Sequence, residues 1–224
     1  MLYCEYNCKK SQQNNCDLDS KGFCMRKFKL DSLYTNSLLT PIQQNHTNLR
    51  LDANGTDKEA FKSLKIIENN VEDFVVKGNN LYIHSVITGN GKTAWAIRLM
   101  QSYFNKIWYK SDLECRGLFV HVPRFFLALK DAINEKSDYV NHIKSNILKA
   151  DLVIFDEIGT KNLTPFESEN LLNIINTRIN EGKSNIYTSN LTPEELKETL
   201  GDRLYSRIVN LSTDVTFYGQ DKRI

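Results

Sequence analysis

The chain has 224 residues, 41% hydrophobic and 25% charged, with a formal net charge of +2. That length suits one well-cored domain with a small appendage, and the charge balance means that any nucleic-acid-binding basic surface must be local. No apolar run is long enough to span a bilayer and Met1-Leu2-Tyr3-Cys4-Glu5 does not open a signal peptide, which predicts a cytoplasmic protein in which disulfides are disfavoured.

Four of the five cysteines crowd the N-terminus as Cys4-x3-Cys8-x7-Cys16-x7-Cys24, with Cys115 far from them. The segment is too polar to build its own core. Four thiolates there predict a tetrahedral Zn²⁺ site, because metal binding then supplies the folding energy. The alternatives are four reduced cysteines on a flexible arm, an iron–sulfur cluster, or disulfides. The basic run Met25-Arg26-Lys27-Phe28-Lys29 reads either as a solvated face or as a contact for nucleic acid or a partner. Residues 31–57 are rich in Asn, Thr, Gln and Ser and read as a mostly irregular connection, with Leu33, Tyr34, Leu38 and Leu39 docking onto a neighbour. A helix starts at Thr56 or Asp57 as cap, with Phe61, Leu64, Ile67 and Val71 near one face. The domain boundary is expected near residue 50, separating an N-terminal segment, 1–50, from a main domain, 51–224.

Leu81 to His84 alternates like a strand. It breaks at Thr88-Gly89-Asn90-Gly91, and Lys92-Thr93-Ala94 opens a helical pattern through Ile97, Leu99 and Met100. Strand, glycine turn, Lys-Thr, helix is the order of a phosphate-binding loop, in which backbone N–H groups form an anion nest at a helix N-terminus. Lys92 would reach the β- and γ-phosphates of ATP, and Thr93 would help hold Mg²⁺. The pattern G-x-x-x-x-G-K-[ST] wants glycine where this chain has Val86.

Gly117 to Val122 reads as a second buried strand, and Pro123 starts a helix over 124–134 with Phe126, Leu127 and Ile133 in the core. Leu152-Val153-Ile154-Phe155 then runs into Asp156-Glu157, a buried parallel strand with an acidic tip. Ligands of open α/β sheets sit at the carboxyl ends of strands, which places both acids beside the phosphate loop. Asp156 would orient Mg²⁺ with Thr93, and Glu157 would polarise the attacking water. Thr164-Pro165-Phe166-Glu167 is a capping box opening a helix through Leu171, Leu172, Ile174, Ile175 and Ile179 to Gly182. Ser184 to Asn190 is a strand whose tip residue, Asn190, either contacts the attacking water or γ-phosphate or shapes a turn. A second capping box, Thr192 to Glu195, opens a helix to Gly201. Helical spacing resumes at Asp202, with Arg203 and Arg207 one turn apart, and Val215 to Tyr218 reads as a last strand.

This order resembles the AAA+ ATPase core of DnaC-type and DnaI-type bacterial helicase loaders and their phage counterparts. The matching pieces are Leu81–Thr93, Leu152–Gly159, Thr188-Ser189-Asn190-Leu191 with Pro193-Glu194-Glu195-Leu196, Leu200–Val209 and Gly219–Arg223, spread over residues 56 to 224. The resemblance implies a parallel five-stranded sheet with flanking helices and no C-terminal lid, beside the small cysteine-bearing segment. It makes Lys92 and Thr93 the Walker A residues, Asp156 and Glu157 the Walker B pair, and Asn190 sensor 1. Arg207 resembles an arginine finger acting on the adjacent subunit's nucleotide, with Arg203 as the fallback, and Arg223 looks like sensor 2.

The implied function is ATP-dependent loading of a DnaB-type replicative helicase onto single-stranded DNA, by a protein that self-associates through its nucleotide site. Arg124, Phe125 and Lys144 lie where such proteins carry a DNA-binding insertion, though amphipathic helix surface explains them equally well. Two other readings stay open. One is a transposition ATPase similar to IstB; the other is a nucleotide-binding helicase adaptor or inhibitor with little hydrolysis, to which Val86 lends weight.

Overall fold

The computed structural model describes residues 24–45, 55–132, 136–160 and 162–221. Its strands are β1 (Asn80–His84), β2 (Gly117–His121), β3 (Leu152–Asp156), β4 (Ser184–Ser189) and β5 (Ser212–Thr216). They form one parallel sheet in the order β2-β3-β4-β1-β5. The strand carrying the phosphate loop and the strand carrying the two acids therefore flank β4, whose tip lies between them.

Helices cover both faces. On one lie α1 (Met25–Asn36), the short α2 (Pro41–Gln44), α3 (Lys58–Asn69), α4 (Val71–Val76) and α5 (Lys92–Ile107); on the other lie α6 (Val122–Asp131), α7 (Asp138–Asn146), α8 (Pro165–Asn180) and α9 (Pro193–Ile208). Side chains of a strand alternate between faces, so Leu81, Ile83, Leu152 and Ile154 enter the first core layer. Tyr82, Val153, Phe155 and Tyr187 enter the second. The alternation read in β1 is thus not an in–out pattern: all five of its residues are buried. A central parallel strand has helices on both sides and no wet face.

Several elements differ from the sequence reading. The connection expected to be irregular begins with α1, which buries Leu30 and Leu33 in the first layer. Its polar surface is used locally. The Arg26 guanidinium lies 5.7 Å from the centre of the Trp108 ring, and Lys29 Nζ donates to Tyr109 O at 2.9 Å. The docking expected of Leu33 and Leu39 does occur. Helix α7 was not anticipated. Helix α6 starts two residues early, so Phe125 is buried, Leu127 is 60% exposed, and Ile133 lies outside the described residues. The last strand comes earlier than expected, with Phe217 buried and Tyr218 exposed beyond its end.

Both capping boxes form as expected, at Thr164 with Glu167 and at Thr192 with Glu195. Asp57 stands at the start of α3 but makes no cap bond. Its Oδ1 instead accepts the N–H groups of Tyr218 and Gly219, at 2.7 and 3.0 Å. Fully buried Arg178 was likewise unforeseen. It donates to Ile147 O, Ala150 O, Ser184 O and Asn185 Oδ1 at 2.6 to 2.8 Å, tying α8 to the end of α7, to the turn before β3 and to the start of β4. Burial pulls its pKa down to about 10.

Candidate functional site

The site is built where the chain leaves the carboxyl ends of β1, β3 and β4. After β1 the backbone turns through Ser85 to Gly91 into α5, and Gly89 (φ +72°) and Gly91 (φ +104°) take left-handed conformations that side chains disfavour. Val86 has no such need. Its φ is not positive and its side chain is 63% exposed, so the loop forms without glycine there. The Lys92 side chain is folded into the loop. Its Nζ donates to Ile87 O at 2.9 Å, Asn90 Oδ1 at 3.2 Å and Ser85 O at 3.3 Å. The carboxylate of Asp221 rests against the Cα of Gly89, so close that a Cβ there would lie 1.9 Å from Oδ1. The segment clasped by Asp57 therefore runs on to the phosphate loop at Asp221.

Asp156, at the tip of β3, is 4% exposed. Its Oδ1 accepts from Thr93 Oγ1 and from Thr188 Oγ1, each at 2.7 Å. Burial raises its pKa from the ordinary aspartate value, and the two threonine bonds oppose that rise. Thr93 and Asp156 are thus brought together as hard oxygen donors, the chemistry that Mg²⁺ prefers, and they fit such an ion. Next to them the chain swings Glu157 outward through a left-handed φ of +58°. Its N–H donates to Thr188 Oγ1 at 3.1 Å, and its Oε2 lies 3.2 Å from His121 Nε2. His121 Nδ1 accepts Arg124 N–H at the start of α6, which leaves the proton on Nε2, facing Glu157.

Two members of this arrangement were not anticipated. Thr188 bridges both acids, and His121 holds the side chain of Glu157. Neither role is visible without strand register, which pairs His121 with Asp156 and puts Thr188 beside them. The small polar tip of β4, Thr188-Ser189-Asn190, was the available signal.

Asn190 is half-buried just past the end of β4, between the strands that carry the loop and the acids. Gly201 (φ +79°) kinks α9, and beyond the kink Arg203 is exposed while Arg207 Nε donates to Asn176 Oδ1 at 3.0 Å. Arg223 lies outside the described residues. Of the DNA-contact candidates Arg124 and Lys144 are exposed, Arg124 lying 4.7 Å from the centre of the Tyr139 ring, whereas Phe125 is buried and unavailable. Cys4, Cys8 and Cys16 also lie outside the described residues; Cys24 caps α1, its Sγ accepting Lys27 N–H at 3.5 Å. Among the described residues no helix is long and apolar enough to cross a membrane.

With this geometry in hand, residues 40–212 match the sequence family described as "IstB-like ATP binding protein". The replicative helicase loader DnaC of Escherichia coli (strain K12) is 22% identical over 191 residues, which span 82% of this chain and 71% of the loader. A crystal structure of the DnaC helicase loader superposes with a TM-score of 0.63 at 21% identity, over 78% of this chain and 99% of that one. A crystal structure of DnaI gives 0.62 at 20% identity, over 81% and 96%. These likenesses show the fold, an α/β AAA+ P-loop core.

Proposed function

The chain belongs to the IstB-like ATP-binding proteins, and from that premise we propose that it is an ATPase that loads a DnaB-type replicative helicase onto single-stranded DNA. It is a distant homologue of the DnaC loader and of DnaI. The observation that carries hydrolysis is the chain Thr93–Asp156–Thr188–Glu157 beside Lys92: a buried carboxylate anchored by two hydroxyls, and a second, half-exposed carboxylate held by His121.

Lys92 and the N–H groups of the loop bind the phosphates of ATP. Thr93 and Asp156 would hold Mg²⁺, which would supply charge neutralisation to the bound phosphates. Glu157 takes a proton from the attacking water, and His121 Nε2–H orients its carboxylate. Asn190 positions that water or the γ-phosphate as sensor 1, and Arg223 serves as sensor 2. Arg207, or the more exposed Arg203, reaches the nucleotide of an adjacent subunit. Cys4, Cys8, Cys16 and Cys24 would hold Zn²⁺, which would supply folding energy to a segment that grips the helicase, in a cytoplasmic protein.

Loss of the γ-phosphate contacts on hydrolysis would loosen both the subunit interface and the grip on DNA. The family's own description favours a second reading, a transposition ATPase similar to IstB. The adaptor with little hydrolysis loses its main support, because Val86 neither strains the loop nor fills it.

The test is ATP turnover with and without single-stranded DNA, together with co-purification from the native cell. Glu157→Gln should bring turnover to background while nucleotide binding survives; wild-type turnover in that variant would refute the assignment of Glu157. Recovery of the replicative helicase supports loading, and recovery of a transposase overturns it in favour of the second reading.

A further inference from the structure

The loop lacks its opening glycine and yet closes, so something else must fix its span. Two side chains lie inside it, Ser85 and Asn90, each 1% exposed. Ser85 Oγ accepts Ile87 N–H at 3.1 Å and Asn90 Nδ2–H at 2.7 Å. Ser85 N–H in turn donates to Ser189 O at 3.2 Å, which roots the start of the loop in β4. At its other end the same Asn90 amide presents Oδ1 to Lys92 Nζ at 3.2 Å. One buried amide thus bolts the first residue of the loop to its fifth successor and holds the ammonium group as well.

We propose that Asn90 is the positioning residue of this nucleotide site, acting through the Ser85–Asn90 bridge to set the loop's span and through Oδ1 to hold Lys92 ready for a phosphate. The inference rests on the ATP-binding reading and deepens it. An amide suits the task on both counts. Its N–H satisfies a buried hydroxyl, and its neutral carbonyl holds the ammonium weakly enough for an anionic phosphate to take it over. An aspartate in its place would bind the ammonium as an ion pair and set a negative charge where phosphates must enter. A threonine or alanine would leave the bridge open.

The experiment compares S85A, N90A, the double variant, N90D and V86G. Dissociation constants for fluorescent ADP and ATP analogues are read beside the melting temperature of the nucleotide-free protein. S85A and N90A should each weaken nucleotide binding about 10-fold, the worth of one buried hydrogen bond, and the double variant should be no weaker than N90A. N90D should lose ATP affinity more than ADP affinity, a change of preference that a purely structural residue would not produce. V86G should not tighten binding.

Single-variant losses that add in the double variant, equal losses of ATP and ADP in N90D, or a tenfold gain in V86G would each overturn the proposal. The melting temperatures read the bridge without nucleotide. If the wild-type protein bound no nucleotide while melting shifts stayed non-additive, the ATP-binding reading would fall and the bridge would stand. Additive shifts with normal wild-type binding would sink the bridge alone.

Discussion

Replacing Thr188 with valine keeps the shape of the side chain and removes its oxygen. That oxygen donates to Asp156 Oδ1 at 2.7 Å and accepts Glu157 N–H at 3.1 Å, in a residue 1% exposed. Losing a bond to a charged acceptor costs about 1.5–3 kcal/mol, and orphaning the Glu157 N–H costs about 1–3 kcal/mol more. A methyl in place of the hydroxyl returns about 1 kcal/mol of apolar burial. The net loss is about 1.5–5 kcal/mol, or roughly 3–20 °C of melting temperature at about 2–4 °C per kcal/mol for a chain of this size.

Function should suffer separately. Glu157 sits at φ +58° and loses the contact that fixes its backbone. The Thr188 bond also holds the pKa of Asp156 down against burial, so its loss raises that pKa further. We expect turnover to fall by about 10-fold or more, the usual cost of misplacing a catalytic group. Thr188→Ser should restore both stability and turnover. Calorimetry and steady-state ATP turnover measure the two effects. A valine variant that melts within about 2 °C of wild type and turns over within about twofold would refute this account of Thr188.

Asp156→Asn should separate stability from function. The native carboxyl has a raised pKa, mainly through burial, so the charged form is penalised in the folded state at all pH values above that pKa. An amide keeps an oxygen for both threonines without the charge. The variant should therefore melt higher than wild type near neutral pH, and the difference should shrink as pH falls through the native pKa, while turnover is lost. A difference that does not change with pH would contradict the argument. Arg178→Met should be destabilised by about 3–5 kcal/mol in chemical denaturation, because four buried acceptors lose their donor and methionine replaces none of them. Arg178→Lys should fall between the two. Wild-type stability of the methionine variant would show that these acceptors find other partners.

The phosphate loop, the acidic strand tip and both capping boxes were legible because each is written in contiguous residues. A turn needs its glycines within a few positions, and a capping box needs its Thr and Glu three apart. Thr188, His121 and Asn90 were harder, since their roles depend on which strand lies beside which and on what a side chain meets inside a loop. Asn90 was expected only as part of the loop, not as the bolt within it. Helix α1 was missed because its apolar face is sparse and its polar residues find partners around Trp108 and Tyr109. Arg178 looked like helix surface, and only the packing of α7 against two strand starts makes it interior.

The clasp at Asp57 joins residues 161 positions apart in sequence. Closing a loop of that length costs about 4.5 kcal/mol of chain entropy, about as much as two hydrogen bonds from backbone N–H groups to one carboxylate return at about 1.5–3 kcal/mol each, so the clasp has little margin of its own. The clasp therefore forms late, after the sheet has already brought its two halves together, and opens early. Amide exchange at Tyr218 and Gly219 is expected to be faster than along β1, so that the chain lying against Gly89 is among the first parts of the ATPase core to detach on heating.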